Sequence, residues 1–423
     1  MSDPQRQFDI AVIGAGVIGS ACALRLAQSG KSVILCDRGA PGKRCSFGNA
    51  GHLTTEEIFP LPSIATLMTA PGYLLQEDPP LTIRARYALK IAPWLARFAW
   101  ASRPAAHRRG TQALLSLQAR ARNDFLRLAK DAGAGDLVRA DGSLLLVERA
   151  GSVAAVKKHI DALHAHGVAA EWLDPAGAHE RLGRRTPALS GAVYYPGAGH
   201  VVDPLAIVES FADAAVGAGA QFRRCNVAGV ARGGGGYILL TSAGEIGARA
   251  VVIAAGAWSR PLLKSLGFDV PLDTERGYHL MAEGASTTCA IPAASHERKV
   301  IVTPMAHGVR ITGAIEFGGL ELPEDAARYP ALERALNALA PEVDTSRISR
   351  WMGFRPSLPD LLPVIGPAPG EPNLLFAFGH QHVGLTLSGV TAEIIRCLID
   401  GAPPPVDLAP FRVERFARAR RSA

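Results

Sequence analysis

Three glycines at G-x-G-x-x-G spacing, Gly14, Gly16 and Gly19, follow the apolar run that starts at Phe8 and lead into a helical stretch. Each has a separate job in such a turn. Gly14 makes the tight turn, Gly16 lets backbone approach a pyrophosphate, and Gly19 lets helix pack against strand. The helix start, with Val17 and Ile18 in its first turn, offers free N–H groups and a positive dipole end to phosphates. Asp37, followed by Arg38, closes the next apolar run about 20 residues on, where a carboxylate accepts hydrogen bonds from ribose hydroxyls. An acid at that strand end disfavours a 2′-phosphate. The chemistry is dinucleotide binding, and the plain alternative is a glycine-rich turn with no ligand.

The elements that must hold these residues follow from hydrophobic periodicity. Residues 8–14 and 31–37 read as buried parallel strands, with a helix over 20–29 stopped by Gly30, which makes a βαβ unit. In mid-chain, Asp203 opens an amphipathic helix over 204–216. Strands over 221–230, 237–242 and 250–254 follow, with a hairpin loop at 233–236. Another strand covers 373–378 and a long helix covers 384–399. Residues 58–189 read as mostly helical, whereas 271–352 mix short strands (300–304 and 309–313) with a helix over 330–339. The fold class is therefore α/β. A Rossmann-like domain assembled from 1–57, 190–270 and 353–423 carries an inserted α+β substrate domain, 58–189 and 271–352.

Composition narrows the function class. The 423 residues are 48% hydrophobic and 20% charged, enough to bury a core and inconsistent with a disordered chain. No apolar run reaches the roughly 18 residues that span a bilayer, and the first seven residues suit no secretory signal. The six cysteines include no C-x-x-C pair, which suits neither zinc, nor an iron–sulfur cluster, nor a disulfide framework. The expectation is a protein of the reducing cytoplasm without a bound metal. The net charge is +7, and the tail from Phe411 (Arg412, Arg415, Arg418, Arg420 and Arg421 against Glu414) holds +4 of it, so no broad nucleic-acid surface is expected. Ile83, Tyr87, Ile91, Trp94 and Phe98 recur at helical spacing beside Arg86, Lys90 and Arg97. This pattern suits an amphipathic helix packed on the core and kinked by Pro93, or peripheral contact with the inner face of a membrane.

Four further blocks occur in a set order: Cys45-Ser46-Phe-Gly-Asn49-Ala50-Gly51-His52; Ala254-Ala255-Gly256-Ala-Trp258-Ser259; Trp351 to Asp360, containing Gly353-Phe-Arg355-Pro356; and Gly379-His380-Gln-His382-Val-Gly384-Leu385-Thr386. With the glycine turn they resemble the FAD-dependent D-amino-acid oxidase superfamily over essentially the whole chain. The chain is most similar to the bacterial D-amino-acid dehydrogenases, including the D-hydroxyproline dehydrogenase branch.

The resemblance implies FAD, with adenine near Val227 and the isoalloxazine ring beside the loop 46–52. Ala255, Gly256 and Trp258, together with Gly379, His380, Gly384, Leu385 and Thr386, match further flavin-binding segments. A helix N-terminus near Gly384 would stabilise the negative charge that reduction places at flavin N1 and C2=O. Arg355 matches the family arginine whose planar fork takes the substrate carboxylate, a role Lys does not reproduce. Tyr278 resembles a tyrosine near the same carboxylate, or else caps a core. His52 follows the flavin loop and stands near N5 or the substrate amine, or is structural. His279, His380 and His382 fit hydrogen-bonded supporting roles equally well.

The implied reaction is hydride transfer from substrate to flavin N5, and no essential Asp or Glu stands in a recognisable motif. Expected partners are a D-amino acid, a cyclic one such as cis-4-hydroxy-D-proline or D-proline being the favourite, and a non-oxygen electron acceptor such as a quinone or partner subunit. The alternatives are a glycine or sarcosine oxidase-like enzyme, a flavin subunit of a heteromeric dehydrogenase, and a nucleotide-binding module without catalysis.

Overall fold

The structure is a computed structural model that describes residues 7–416 apart from 75, 234 and 286–288, so Arg418, Arg420 and Arg421 of the basic tail lie outside the described residues. Two large sheets dominate it. In the first, the strands Gln221–Arg224, Val33–Asp37, Phe8–Ile13, Gly244–Ile253 and Glu371–Phe378 lie side by side, all parallel. Both faces are covered along Phe8–Ile13, Val33–Asp37 and the C-terminal halves of Gly244–Ile253 and Glu371–Phe378, which is why these read as apolar runs, whereas the edge strand Gln221–Arg224 is mostly exposed. Ile10 and Val12 pack into the cluster under the helices Val17–Gln28, Pro204–Gly217 and Gly384–Ile399, while Ala11 and Ile13 join Leu262 and Phe376 on the other side. The glycine turn is sterically closed. Gly14 has φ +105° with Ala254 O only 2.5 Å from where a Cβ would stand, and a Cβ on Gly19 would sit 1.7 Å from Gly14 O.

The stretch 221–230 divides into two strands. Gln221–Arg224 continues the parallel sheet beside Val33–Asp37, whereas Val227–Gly233 forms an antiparallel hairpin with Gly236–Thr241 that joins the same sheet on its other side, through Gly244–Ile253. The switch of partner occurs at Cys225, whose N–H is taken by Asp37 O, and Asn226, whose N–H is taken by Ser242 Oγ.

The second sheet has nine strands. Ile348–Ser357, Asp273–Glu283, Gly308–Phe317, Ile301–Met305, Ala293–Ser295, Ser143–Val147, Gly191–Tyr195 and Glu171–Leu173 lie in that order, with Leu81–Ile83 added parallel to Gly308–Phe317. It therefore takes in Gly191–Tyr195 and the whole of Ile348–Ser357, and so reaches past the divisions drawn from sequence at 189 and 352. It also places strands inside the block read as helical. The helix Tyr329–Leu339 covers one face, with Leu332, Leu336 and Leu339 buried beside Tyr278 and Leu280.

The stripe at Ile83–Phe98 packs inward. Ile91 and Trp94 on the helix Ala88–Ala101 are buried against Phe317, and Trp94 Nε1 donates to Ser357 O at 3.3 Å. The opposite face of that helix shows Leu89 and Trp100 to solvent, 90% and 66% exposed. Among the described residues no helix is long and apolar enough to cross a membrane.

Candidate active site

A cavity of about 870 Å³ runs between the two sheets, from Asp37, Arg38 and Val227 at one end to Arg355 and Gln381 at the other. The glycine turn borders the first end. Gly16 caps the helix Val17–Gln28 in extended geometry with no side chain of its own on the first-turn donors, and the Val17 N–H reaches Ser46 Oγ at 3.0 Å. Asp37 is locked across the turn, accepting from Ala15 N and Gly39 N, both at 2.8 Å. Ala255, Gly256 and Trp258 line the same end, and the Arg38 guanidinium lies 4.4 Å above the Trp258 ring.

The loop 45–52 is clamped to the second sheet. Cys45 Sγ donates to Phe354 O at 2.7 Å, and Arg310 Nη1 reaches Phe47 O and Asn49 O at 3.1 and 2.6 Å. Gly48 rests on Trp351, whose ring leaves no room for a Cβ. Asn49 Oδ1 accepts from Gly51 N at 2.8 Å, which closes a local turn. Cys45, Ser46, Asn49, Ala50 and His52 face the cavity, whereas Gly19, Gly51 and Thr386 support it from behind. Gly51 lies against Val201 O, and Thr386 Oγ1 accepts from Thr54 N at 3.0 Å, which fastens the segment after the loop to the helix Gly384–Ile399.

That helix begins at the cavity wall with Gly384 and Leu385, and its N-cap Val383 has no side-chain cap. Ahead of it, Gly379 has φ +81° and lies too close to Leu358 for a Cβ. His380 faces the cavity with Nε2 3.0 Å from Thr391 Oγ1, and burial drives its imidazole down to about 3. Gln381 is 8% exposed, adopts φ +49°, and its Nε2 has no partner among the described residues although Gln381 borders the cavity. Two helix starts whose N-cap residues, Gly16 and Val383, offer no side-chain acceptor, an acid at the far end and this orphaned donor fit an elongated dinucleotide such as FAD.

The other wall belongs to the second sheet. Arg355, half-buried on Ile348–Ser357, donates through Nη1 to Ala314 O at 3.2 Å. Ala314 sits in a bulge: Arg276 pairs with Glu316 and Tyr278 with Gly313, so Ala314 and Ile315 together face Gly277, and Ala314 takes φ +57°. Gly277 is the neighbour that gives Arg355 room, since a Cβ there would stand 2.3 Å from Nη2.

Tyr278 is not at this site. Successive strand residues alternate between faces. Glu275 and Gly277 line the cavity, so Tyr278 turns to the opposite core, where its hydroxyl donates to Glu316 Oε2 and accepts from Asp325 N, both at 3.1 Å. Of its two sequence readings, the core role is the one its contacts support.

His52 does reach the cavity, with Nε2 3.6 Å from Glu56 Oε1. Burial takes this imidazole down to about 4 and raises the Glu56 carboxyl to about 8, helped by neighbouring Glu57. Burial thus disfavours the charged form of both partners in this close pair. His279 lies behind the wall, stacked on Trp351 with Nδ1 at Gly48 O, and His382 pairs with Glu57 at 3.8 Å. Sequence reasoning missed Glu56, Glu57, Glu275 and Gln381. Only the alternation Glu275–Gly277, once 273–283 is known to be a strand, carries a signal for any of them.

Comparison with known proteins agrees with this architecture. The model of the DAO family, FAD dependent oxidoreductase, matches residues 9–398. A D-amino-acid oxidase of Bradyrhizobium diazoefficiens is 34% identical over 96% of this chain and 98% of its own length. A D-amino acid dehydrogenase of Rhizorhabdus wittichii is 29% identical over 96% of this chain and 100% of its own. The crystal structure of glycine oxidase from Geobacillus kaustophilus superposes with a TM-score of 0.73 at 23% identity, covering 97% of this chain and all of that one. The α/β fold built on the glycine turn, the cavity between the sheets and the match along almost the whole chain lead to one assignment: this protein belongs to the DAO family of FAD-dependent oxidoreductases.

Proposed function

We propose that the protein dehydrogenates a D-amino acid and passes the electrons to an acceptor other than dioxygen. One observation carries the reading: the Arg355 guanidinium, pinned by Ala314 O and given room by Gly277, faces the cavity that the glycine turn and the loop 45–52 also border. A planar fork on that wall takes an α-carboxylate and orients the rest of the substrate toward the cofactor loop. The first sheet holds the dinucleotide and the second presents the substrate. Bound FAD supplies the two-electron oxidation of the substrate's C–N bond. The protein's part is to grip the carboxylate, to offer the donors at the start of the helix Gly384–Ile399 to developing negative charge, and to exclude water between the sheets. A cyclic D-amino acid such as D-proline or cis-4-hydroxy-D-proline is our favoured substrate.

The deciding experiment is the anaerobic visible spectrum of the FAD-loaded protein with D- and L-amino acids. Bleaching by a D-isomer alone supports the reading, and bleaching by none of them refutes it. An oxidase is the second reading, favoured by the name of the 34% identical relative; rapid peroxide formation in air on a D-amino acid would establish it.

For the acceptor we propose a membrane quinone or a partner subunit reached at a lipid surface. The helix Ile64–Leu74 has no buried residue, and its Met68 is 77% exposed. Exposed Leu89 and Trp100 stand with Arg103, Arg108 and Arg109 in a stretch that contains no acid between Asp78 and Asp124. Apolar side chains flanked by unopposed arginines complement an anionic bilayer.

A further inference from the structure

The cavity wall carries an acid that the motifs do not reveal. Glu275 is the direct cross-strand partner of Arg355, both side chains line the cavity, and Glu275 is 6% exposed. Facing partners on antiparallel strands hold their Cβ atoms about 5 Å apart, so a fork and a carboxylate stand side by side on one wall. The other charged groups nearby are engaged elsewhere. Asp273 accepts from the Tyr87 hydroxyl at 2.9 and 3.0 Å and from Thr274 N at 2.7 Å. His382, from the loop ahead of the helix Gly384–Ile399, pairs with Glu57 at 3.8 Å. Arg355 spends one N–H on Ala314 O.

We propose that Glu275 binds the α-ammonium group of the substrate beside the carboxylate held by Arg355, and accepts its proton. This rests on the amino-acid reading above. An α-amino acid carries its two charges on neighbouring atoms, and the Arg355–Glu275 pair offers the complementary charges in the same arrangement. In the proton step an N–H bond of the ammonium breaks and an O–H bond forms on Glu275. No electron changes hands, and the amine is left neutral with its lone pair free, the state from which its Cα–H can be oxidised. Burial raises the Glu275 carboxyl, which makes it the better base; Arg355 and His382 pull it back, and Asp273 adds to the rise. The Ser357 hydroxyl, a neutral group, also borders it.

The test uses the holoenzyme and its Glu275→Gln and Glu275→Asp variants on a D-amino acid that the wild type oxidises. The binding probe is the matching carboxylate without the amine, propionate for D-alanine or cyclopentanecarboxylate for D-proline, read by the visible spectrum. Glu275→Gln should lose about 30-fold in kcat/KM, the scale of one hydrogen bond to a charged group. The acid limb of its pH profile should rise by about one unit toward the amine's own pKa, while the amine-free carboxylate binds within about threefold of wild type. Glu275→Asp should restore part of the rate and the wild-type limb, and it carries the test alone if Glu275→Gln fails to fold. An unmoved limb with kcat/KM close to wild type overturns the proposal. So does an equal loss of affinity for the amine-free carboxylate, which would make Glu275 a mere support for Arg355. A wild type that oxidises no amino acid overturns the functional reading and this inference together, whereas wild-type turnover with an indifferent Glu275→Gln overturns the inference alone.

Discussion

Replacing Gly277 by alanine asks whether the cavity wall is built around the Arg355 fork. Gly277 has no positive φ, so alanine is tolerated by the backbone and the whole effect falls on what the new methyl meets. It would stand 2.3 Å from Arg355 Nη2, 2.4 Å from Cζ and 2.8 Å from Nη1. Comfortable contacts lie at about 3.5–4.0 Å, so the guanidinium must retreat by about 1 Å or more. It is the tip of a flexible side chain, and the fold yields at little cost. The fork, however, is carried off the Ala314 carbonyl that holds it at 3.2 Å. A misplacement of about 1 Å in a substrate-positioning group costs about a hundredfold. Losing one charge-assisted hydrogen bond, about 1.5–3 kcal/mol, gives a comparable figure. The assay is steady-state kinetics on a D-amino acid, with the FAD-to-protein ratio and the unfolding midpoint measured on the same preparation. We expect kcat/KM to fall about a hundredfold, chiefly through KM, with FAD retained. Kinetics within about threefold of wild type would show that the fork does not hold substrate, and loss of FAD in parallel would show that the wall serves the cofactor instead.

Arg355→Ala should raise KM by at least as much as Gly277→Ala while keeping FAD, and a KM like wild type would remove Arg355 from the site. Asp37→Asn should weaken FAD binding about tenfold or more, measured by fluorescence titration of apoprotein, because the carboxylate that spans Ala15 N and Gly39 N loses its charge. His279 gives a stability signature. Burial, seconded by Arg310, drives its imidazole from 6.5 down to about 3, so the unfolded chain takes up a proton below 6.5 that the folded chain refuses. Stability is thus lost as pH falls from 6.5 toward 3. His279→Phe, which keeps the stack on Trp351, should reduce the loss between pH 7 and 5 by about 2 kcal/mol in urea unfolding. Flotation with phosphatidylglycerol vesicles at low salt should bring the protein up with the lipid, and Met68→Asp with Trp100→Ala should abolish it; wild-type protein left at the bottom refutes the lipid surface.

The dinucleotide end was legible because it is local. Strand, glycine turn, helix and Asp37 form one continuous βαβ unit, and the steric demands on Gly14 and Gly19 come from neighbours that any such unit must bring together. The blocks around Asn49, Trp258, Arg355 and Gly384 were legible through resemblance, and all four reach one cavity. The wall that carries Arg355 was not legible residue by residue. It is made by pairing Asp273–Glu283 with strands far along the chain, and a strand shows only every second side chain to a given face. That alternation sends Tyr278 to the opposite core and brings Glu275 to Arg355, a distinction that a motif read as a string does not contain. The bulge at Ala314, which aims the carbonyl that pins Arg355, likewise exists only as a mismatch between two strands. The sequence by itself determined the fold class and the cofactor end, because those depend on contacts within short stretches of chain. Which side chains share the cavity wall with Arg355 was decided by strand register, which is set only when distant segments pair.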